Sequence, residues 1–187
     1  RIVGGTRFYD RREVRDLIAY LRLIQNEYDT VAFQRVVNVP GRGIGQKSTT
    51  DLLSAAANLG LSPIAAGTRT AKGDPELPAF RANILNALGG FVALIDQLAA
   101  DRERLTVAEL LERIITATNY RAHLEASDRE HAEARWENVQ ELCSVAAQFQ
   151  DAYQDAAQDA ERDSSLATFL EEVALVSDID DPSADEP

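Results

Sequence analysis

Apolar residues recur at spacings of three and four along most of the chain, which is the pattern of helices that each bury one face. Val14, Leu17, Ile18, Leu21 and Ile24 share such a face, and Asp10 followed by Glu13 has the form of a capping box, so a helix is expected from Asp10. A shorter helix carrying Phe33, Val36 and Val37 is expected from about Asp29, with Pro40 ending it. A glycine-rich loop over residues 41–45 then leads through Ser48 and Thr49 into a helix marked by Leu52, Leu53, Ala56 and Leu59 and closed by Gly60. Ser62 and Pro63 open another turn, and residues 67–76 read as a surface loop.

The second half continues in the same way. Phe80, Ile84, Leu85, Leu88, Phe91, Val92, Ile95 and Leu98 mark a long amphipathic helix, with Gly89 and Gly90 as a kink or a point of close packing. Thr106 with Glu109, and Ser127 with Glu130, have the capping-box form ahead of two further helices, the second carrying Trp136, Val139, Leu142, Cys143, Ala146, Phe149 and Tyr153. Ser165 is expected to cap a last helix through Phe169, Leu170, Val173 and Leu175, and the acidic residues 177–187 are expected to be a disordered tail. Only residues 1–3 look strand-like. The expected fold is all-α, a multi-helix domain with a residual N-terminal strand.

Composition adds bounds. The 187 residues are 45% hydrophobic and 27% charged, an ordinary globular balance for one domain or at most two small ones. No apolar run approaches the roughly 20 residues that cross a bilayer, so no membrane partner is expected. A lone cysteine, Cys143, forms no internal disulfide and fits a reducing, cytoplasmic location. The absence of methionine suggests a piece of a longer protein. The net charge of −12 is unevenly spread: residues 1–72 carry 11 Lys/Arg against 6 Asp/Glu, and residues 73–187 carry 8 against 25. A nucleic-acid contact follows the local field, so the basic first third keeps that class open.

Candidate chemistry concentrates in PGRGIGQKS, residues 40–48. As a phosphate-binding loop it fails at Gln46, where glycine is needed, and no parallel strand precedes it. As a dinucleotide fingerprint it lacks the third glycine and the sheet. A helix–hairpin–helix-like element remains, alongside a plain glycine turn without a ligand. In that element Gly43 and Gly45 would allow close backbone approach, and the hairpin amides with the next helix N-terminus would form an anion site. Ser48 would add a hydroxyl, and Arg42 and Lys47 positive charge; such a site grips a sugar–phosphate backbone without reading bases.

IVGGTRFYDRREVRDLIAYLRLIQN followed by FQRVVNVPGRGIGQKS resembles the superfamily 1A DNA helicases of the UvrD/PcrA/Rep type. NYRAHLEA, RWENVQELCSVAAQF and TFLEEVALVSDID extend the resemblance over essentially the whole chain. It implies an isolated 2B domain, trimmed at both junctions, of an ATP-dependent 3'-5' DNA helicase. Residues 1–9 would be the hinge with the motor, through Gly4, Gly5, Phe8 and Tyr9, and residues 10–176 the helical domain. Its duplex contacts match Gly43, Ile44, Gly45, Ser48 (usually threonine), Arg42, and Arg15 in place of the commoner lysine. Implied partners are double-stranded DNA, the motor domains of the same parent chain and repair proteins. ATP and magnesium belong to the parent motor. No cofactor is expected here, and no ATP hydrolysis by these residues alone.

His123 and His131 lie eight apart among many acids and read as solvated helix surface rather than a metal site. Trp136 and Cys143 read as interhelical or core residues. Two functions stay open: a duplex-gripping accessory domain that gates a motor, and an autoinhibitory, protein-interaction module with little DNA affinity. A basic patch at Arg15, Arg42 and Lys47 would favour the first, and an exposed apolar groove in the second half the second.

Overall fold

The computed structural model describes residues 6–156 and 163–178, and among them the chain forms ten helices and no strand. In order these are α1 (Thr6–Tyr9), α2 (Arg12–Gln25), α3 (Thr30–Val36), α4 (Gln46–Leu59), α5 (Pro63–Ala71), α6 (Ala82–Asp101), α7 (Val107–Thr118), α8 (Tyr120–Ser127), α9 (Ala132–Ala156) and α10 (Asp163–Asp178). The expected strand at residues 1–3 and the tail beyond residue 178 lie outside the described residues.

Helix α2 is the hub, packing against α1, α3, α6, α7, α9 and α10. It is buried on far more than the one face its apolar spacing predicts. Glu13, Asp16, Tyr20 and Leu23 are buried along with Val14, Leu17, Leu21 and Ile24, while Ile18 is only half-buried. The two buried acids are paired, as burial of a charge demands. Glu13 accepts from Arg135 Nε (3.1 Å) and Asn138 Nδ2 (2.6 Å) of α9, and Arg11 Nη1 donates to the same asparagine's Oδ1. Asp16 accepts from the Tyr120 hydroxyl (2.9 Å) and lies 2.8 Å from Arg35 Nε. Burial, then the charge of Asp16, raises the Tyr120 phenol far above its ordinary value.

Aromatic contacts knit the rest of the core. Phe33 meets Phe91 edge-on at 5.7 Å, and Phe149 meets Phe169 at 5.3 Å. Trp136 is half-buried, with the Arg121 guanidinium 5.1 Å from its ring centroid.

Several helix ends follow the local signals. Asp29 caps α3 through Ala32 N, Ser62 caps α5 ahead of Pro63, Gly60 closes α4 at φ +64°, and Thr106 with Glu109 forms a complete capping box. Three others differ. α2 begins after Arg11 rather than at Asp10, because Glu13 turns to α9 instead of back to the cap. Ser127 ends α8, its hydroxyl donating to Leu124 O, and Asp128 takes the amide of His131. Ser165 lies inside the first turn of α10, buried. A further break, at Asn119 in the left-handed region (φ +49°), divides α7 from α8.

Residues 67–71, expected in a loop, complete α5 because Gly67 is an approach point rather than a breaker. A Cβ there would sit 2.7 Å from Val92 Cγ1, on a β-branched side chain with little freedom to yield. Gly89 likewise faces Ala71, so the first glycine of the pair serves close packing, and α6 runs unbroken through both. Gly67→Ala is therefore expected to cost about 1–3 kcal/mol by overpacking. Gly90→Ala, exposed with nothing within 4 Å, should stabilise by about 1 kcal/mol; urea denaturation midpoints decide both signs.

At 20 residues α6 is also long and apolar enough, by length and composition, to cross a membrane, contrary to the sequence expectation. Its stripe of Leu88, Phe91, Val92, Ile95 and Leu98 is instead buried, and the helix packs on α5, α2 and α7.

Candidate nucleic-acid interface

Residues 37–45 join the end of α3 to the start of α4, with Val39–Pro40 in the cis form. Three side chains hold this turn. Asn38 Oδ1 accepts from the amides of Arg42 (2.7 Å) and Ile44 (3.2 Å), bracketing Gly43. The Tyr20 hydroxyl donates to Val39 O at 2.6 Å. Arg42 points inward: Nη1 donates to the carbonyls of Val36, Val37 and Pro40, at 3.0, 3.2 and 3.2 Å, and Nη2 donates to the Tyr20 hydroxyl at 2.7 Å. Its guanidinium lies 5.0 Å from the Phe91 ring centroid. Burial pushes the Tyr20 phenol up, and the arginine beside it opposes that shift.

What remains outward is backbone. Gly43 takes φ +78°, a conformation that favours glycine, and neither it nor Gly45 has an atom within 4 Å of where a Cβ would sit. Ile44 between them is buried and anchors the turn to the core. Gly45 is the N-cap of α4 and supplies no side-chain cap, and the first turn of α4 holds no acid. Helix geometry leaves the first amides of α4 without intrahelical acceptors, so they face outward with the positive end of the helix dipole. Thr49 is buried and donates to Gly45 O at 3.2 Å, fixing that first turn, while Ser48 beside it is half-buried. Lys47 pairs with Asp51 at 2.6 Å, but its side chain is 89% exposed, and such surface pairs are worth about 0–1 kcal/mol.

The expected cationic patch is not assembled as one surface. Arg42 has its donors turned inward, so it adds a fixed turn rather than free charge. Arg15 is exposed on α2, and it lines a cleft that contains no residue of the loop. That cleft, about 680 Å³, lies between α2, α3 and α10, with Ile18, Val31, Leu170 and Val173 on its walls beside Arg22 and Arg35. It is partly the apolar groove sought in the second half, though both halves build it. Of the four residues expected at a hinge, Gly4 and Gly5 lie outside the described residues. Phe8 and Tyr9 are buried in the core, edge-on to each other at 5.1 Å.

His123 is half-buried against the Tyr120 ring, and burial lowers its pKa; His131 is exposed beside Asp128, across the α8–α9 turn. No group of three or more His, Cys, Asp or Glu placed to hold a metal occurs among the described residues. Cys143 is half-buried, and burial raises its thiol to about 11. The unfolded thiol ionises first as pH rises, so the stability this group contributes is present below about pH 9 and lost through about pH 11. The fall in denaturation midpoint over that window is expected to be smaller in Cys143→Ala.

Sequence reasoning missed Asn38 and Tyr20 at the turn. For Asn38 a signal existed, since asparagine ahead of a proline turn commonly bonds nearby backbone amides. Tyr20 left none, being one more apolar-face residue of α2.

A family model described as the UvrD-like helicase C-terminal domain matches residues 1–187. The chain is similar to the ATP-dependent DNA helicase PcrA of Bacillus subtilis, 38% identical over 179 residues, covering 96% of this chain and 22% of that protein. It is equally similar to the ATP-dependent DNA helicase UvrD1 of Mycobacterium tuberculosis, 38% identical over 189 residues, with 97% and 24% covered. For PcrA of Staphylococcus aureus the identity is 31% over 180 residues, with 96% and 23% covered. The chain thus spans under a quarter of the length of these relatives.

Proposed function

Because the chain belongs to the UvrD-like helicase C-terminal domain family, we propose that it is the inserted 2B-type accessory domain of an ATP-dependent DNA helicase and grips duplex DNA by its backbone. The family match is to the C-terminal domain as a whole; the finer assignment is supported by the turn at residues 41–48. That turn is the observation that carries the reading. Its exposed glycine backbone meets the uncapped N-terminus of α4, with Lys47 and Ser48 in the same first turn. A phosphate fits there by accepting amide hydrogen bonds, with the lysine adding charge. No side chain is arranged to read a base edge, so binding is independent of sequence. Arg15, away from the turn, makes a separate phosphate contact in this reading.

In the parent enzyme ATP and magnesium act in the motor domains, and the contribution of this domain is orientation. Residues 1–9 join it to the motor, and rotation there changes which arrangement on the duplex is populated. Its deletion is expected to alter unwinding while leaving ATP hydrolysis. The alternative, an autoinhibitory and partner-binding module, has the α2–α3–α10 cleft in its favour. Titrating the chain with two duplexes of unrelated sequence at rising salt separates them. Duplex gripping predicts micromolar or weaker binding, equal for both duplexes and falling steeply with salt. Absence of binding at low salt, or a preference between the sequences, contradicts it.

A further inference from the structure

We propose that Arg42, with Asn38 and Tyr20, is a positioning group that pre-forms the duplex-binding turn, and that its guanidinium is not itself a phosphate contact. This rests on the reading that residues 41–48 grip the duplex, and it assigns the work within that stretch. An arginine flanked by glycines in a basic segment reads from sequence as a ligand contact, but its surroundings here are all internal. Nη1 serves Val36 O, which also accepts from the Val39 amide, and Val37 O, both at the C-terminal end of α3 where the dipole is negative, and Pro40 O of the turn. Nη2 meets the Tyr20 hydroxyl, which passes the link on to Val39 O. The guanidinium lies by the Phe91 ring. One planar group thereby ties together α2, α3, the turn and α6.

Asn38 completes the clamp from the other side by holding the amides on either side of Gly43. Ordering a residue costs about 1–2 kcal/mol in backbone entropy, so a turn already held binds without that cost at the moment of contact. Lysine cannot replace the planar fork, because an ammonium cannot span three carbonyls and a hydroxyl in fixed geometry.

The test compares salt slopes of duplex binding for the full chain and its variants. Arg42→Lys keeps the charge and is expected to bind about 10-fold more weakly at fixed salt, with an unchanged slope of log K against log salt. Asn38→Ala should behave alike, with amide hydrogen exchange at Arg42 and Ile44 accelerated and that of α7 and α9 unchanged. Tyr20→Phe removes only a hydroxyl, so it keeps the buried ring if the arginine variant folds poorly; a loss of about 3-fold is expected, again without a slope change. Lys47→Ala, by contrast, should lower the slope by about 0.9, the signature of one lost phosphate contact. Arg42→Lys binding like the parent, or Arg42→Ala lowering the slope as Lys47→Ala does, would overturn the proposal. A parent chain that binds no duplex at low salt overturns the functional reading instead, and this inference with it.

Discussion

Replacing Gly43 and Gly45 together by aspartate is expected to weaken duplex binding by about 100-fold or more, equivalent to about 2.7 kcal/mol, while the fold survives. The two positions lose binding for different reasons. At Gly45 (φ −77°) a side chain is unstrained, and aspartate is a favoured N-cap, so the new carboxylate takes the α4 amides that a phosphate would use. The variant carries its own competitor, and stability at this position should rise slightly. At Gly43 the positive φ disfavours any side chain by about 1–2 kcal/mol, although aspartate tolerates it better than most. Open space around both positions means no packing is lost. Near-parental circular dichroism and melting with binding abolished is the expected pairing. Unchanged low-salt affinity would remove the turn from the interface.

Glu13→Ala is expected to cost about 3–5 kcal/mol, the penalty for leaving the partner of a buried ion pair without its counter-charge. The Glu13 side chain is 4% exposed and Arg135 is 18% exposed, and Asn138 loses its acceptor at the same time. Asp10→Ala, which a capping box would make costly, should stay within about 0.5 kcal/mol, as an exposed substitution away from any paired group does. Urea midpoints for the two variants decide between the local and the tertiary role of Glu13. Equal losses would favour the capping box that the residue spacing suggests.

That contrast shows what the sequence could and could not convey. The all-α class and most helix positions were legible, because three-and-four spacing is a local signal and the caps at Asp29, Ser62, Gly60 and Thr106 are met within four residues. Two of the misreadings share one cause, which is that a partner distant in sequence took the group. Glu13 fits a capping box until Arg135 and Asn138 arrive from α9. Gly67 reads as a breaker until Val92 of α6 packs against it. At the candidate site, the glycines, Lys47 and Ser48 could be chosen from residue type and order. The inward turn of Arg42 could not, because it depends on the α3 carbonyls, on a hydroxyl from α2 and on a ring from α6.

The family relationship sets the frame for these residues, and the chain spans under a quarter of the length of the relatives it matches. On the proposed reading, its contribution comes from what it holds. Amide-resolved NMR of the chain titrated with a short duplex at low salt tests that most directly. The account predicts that the largest shifts fall on the amides of Gly43, Gly45, Gln46, Lys47 and Ser48 and disappear at high salt. Shifts confined to the α2–α3–α10 cleft, or to the acidic helices α7 to α9, would contradict it.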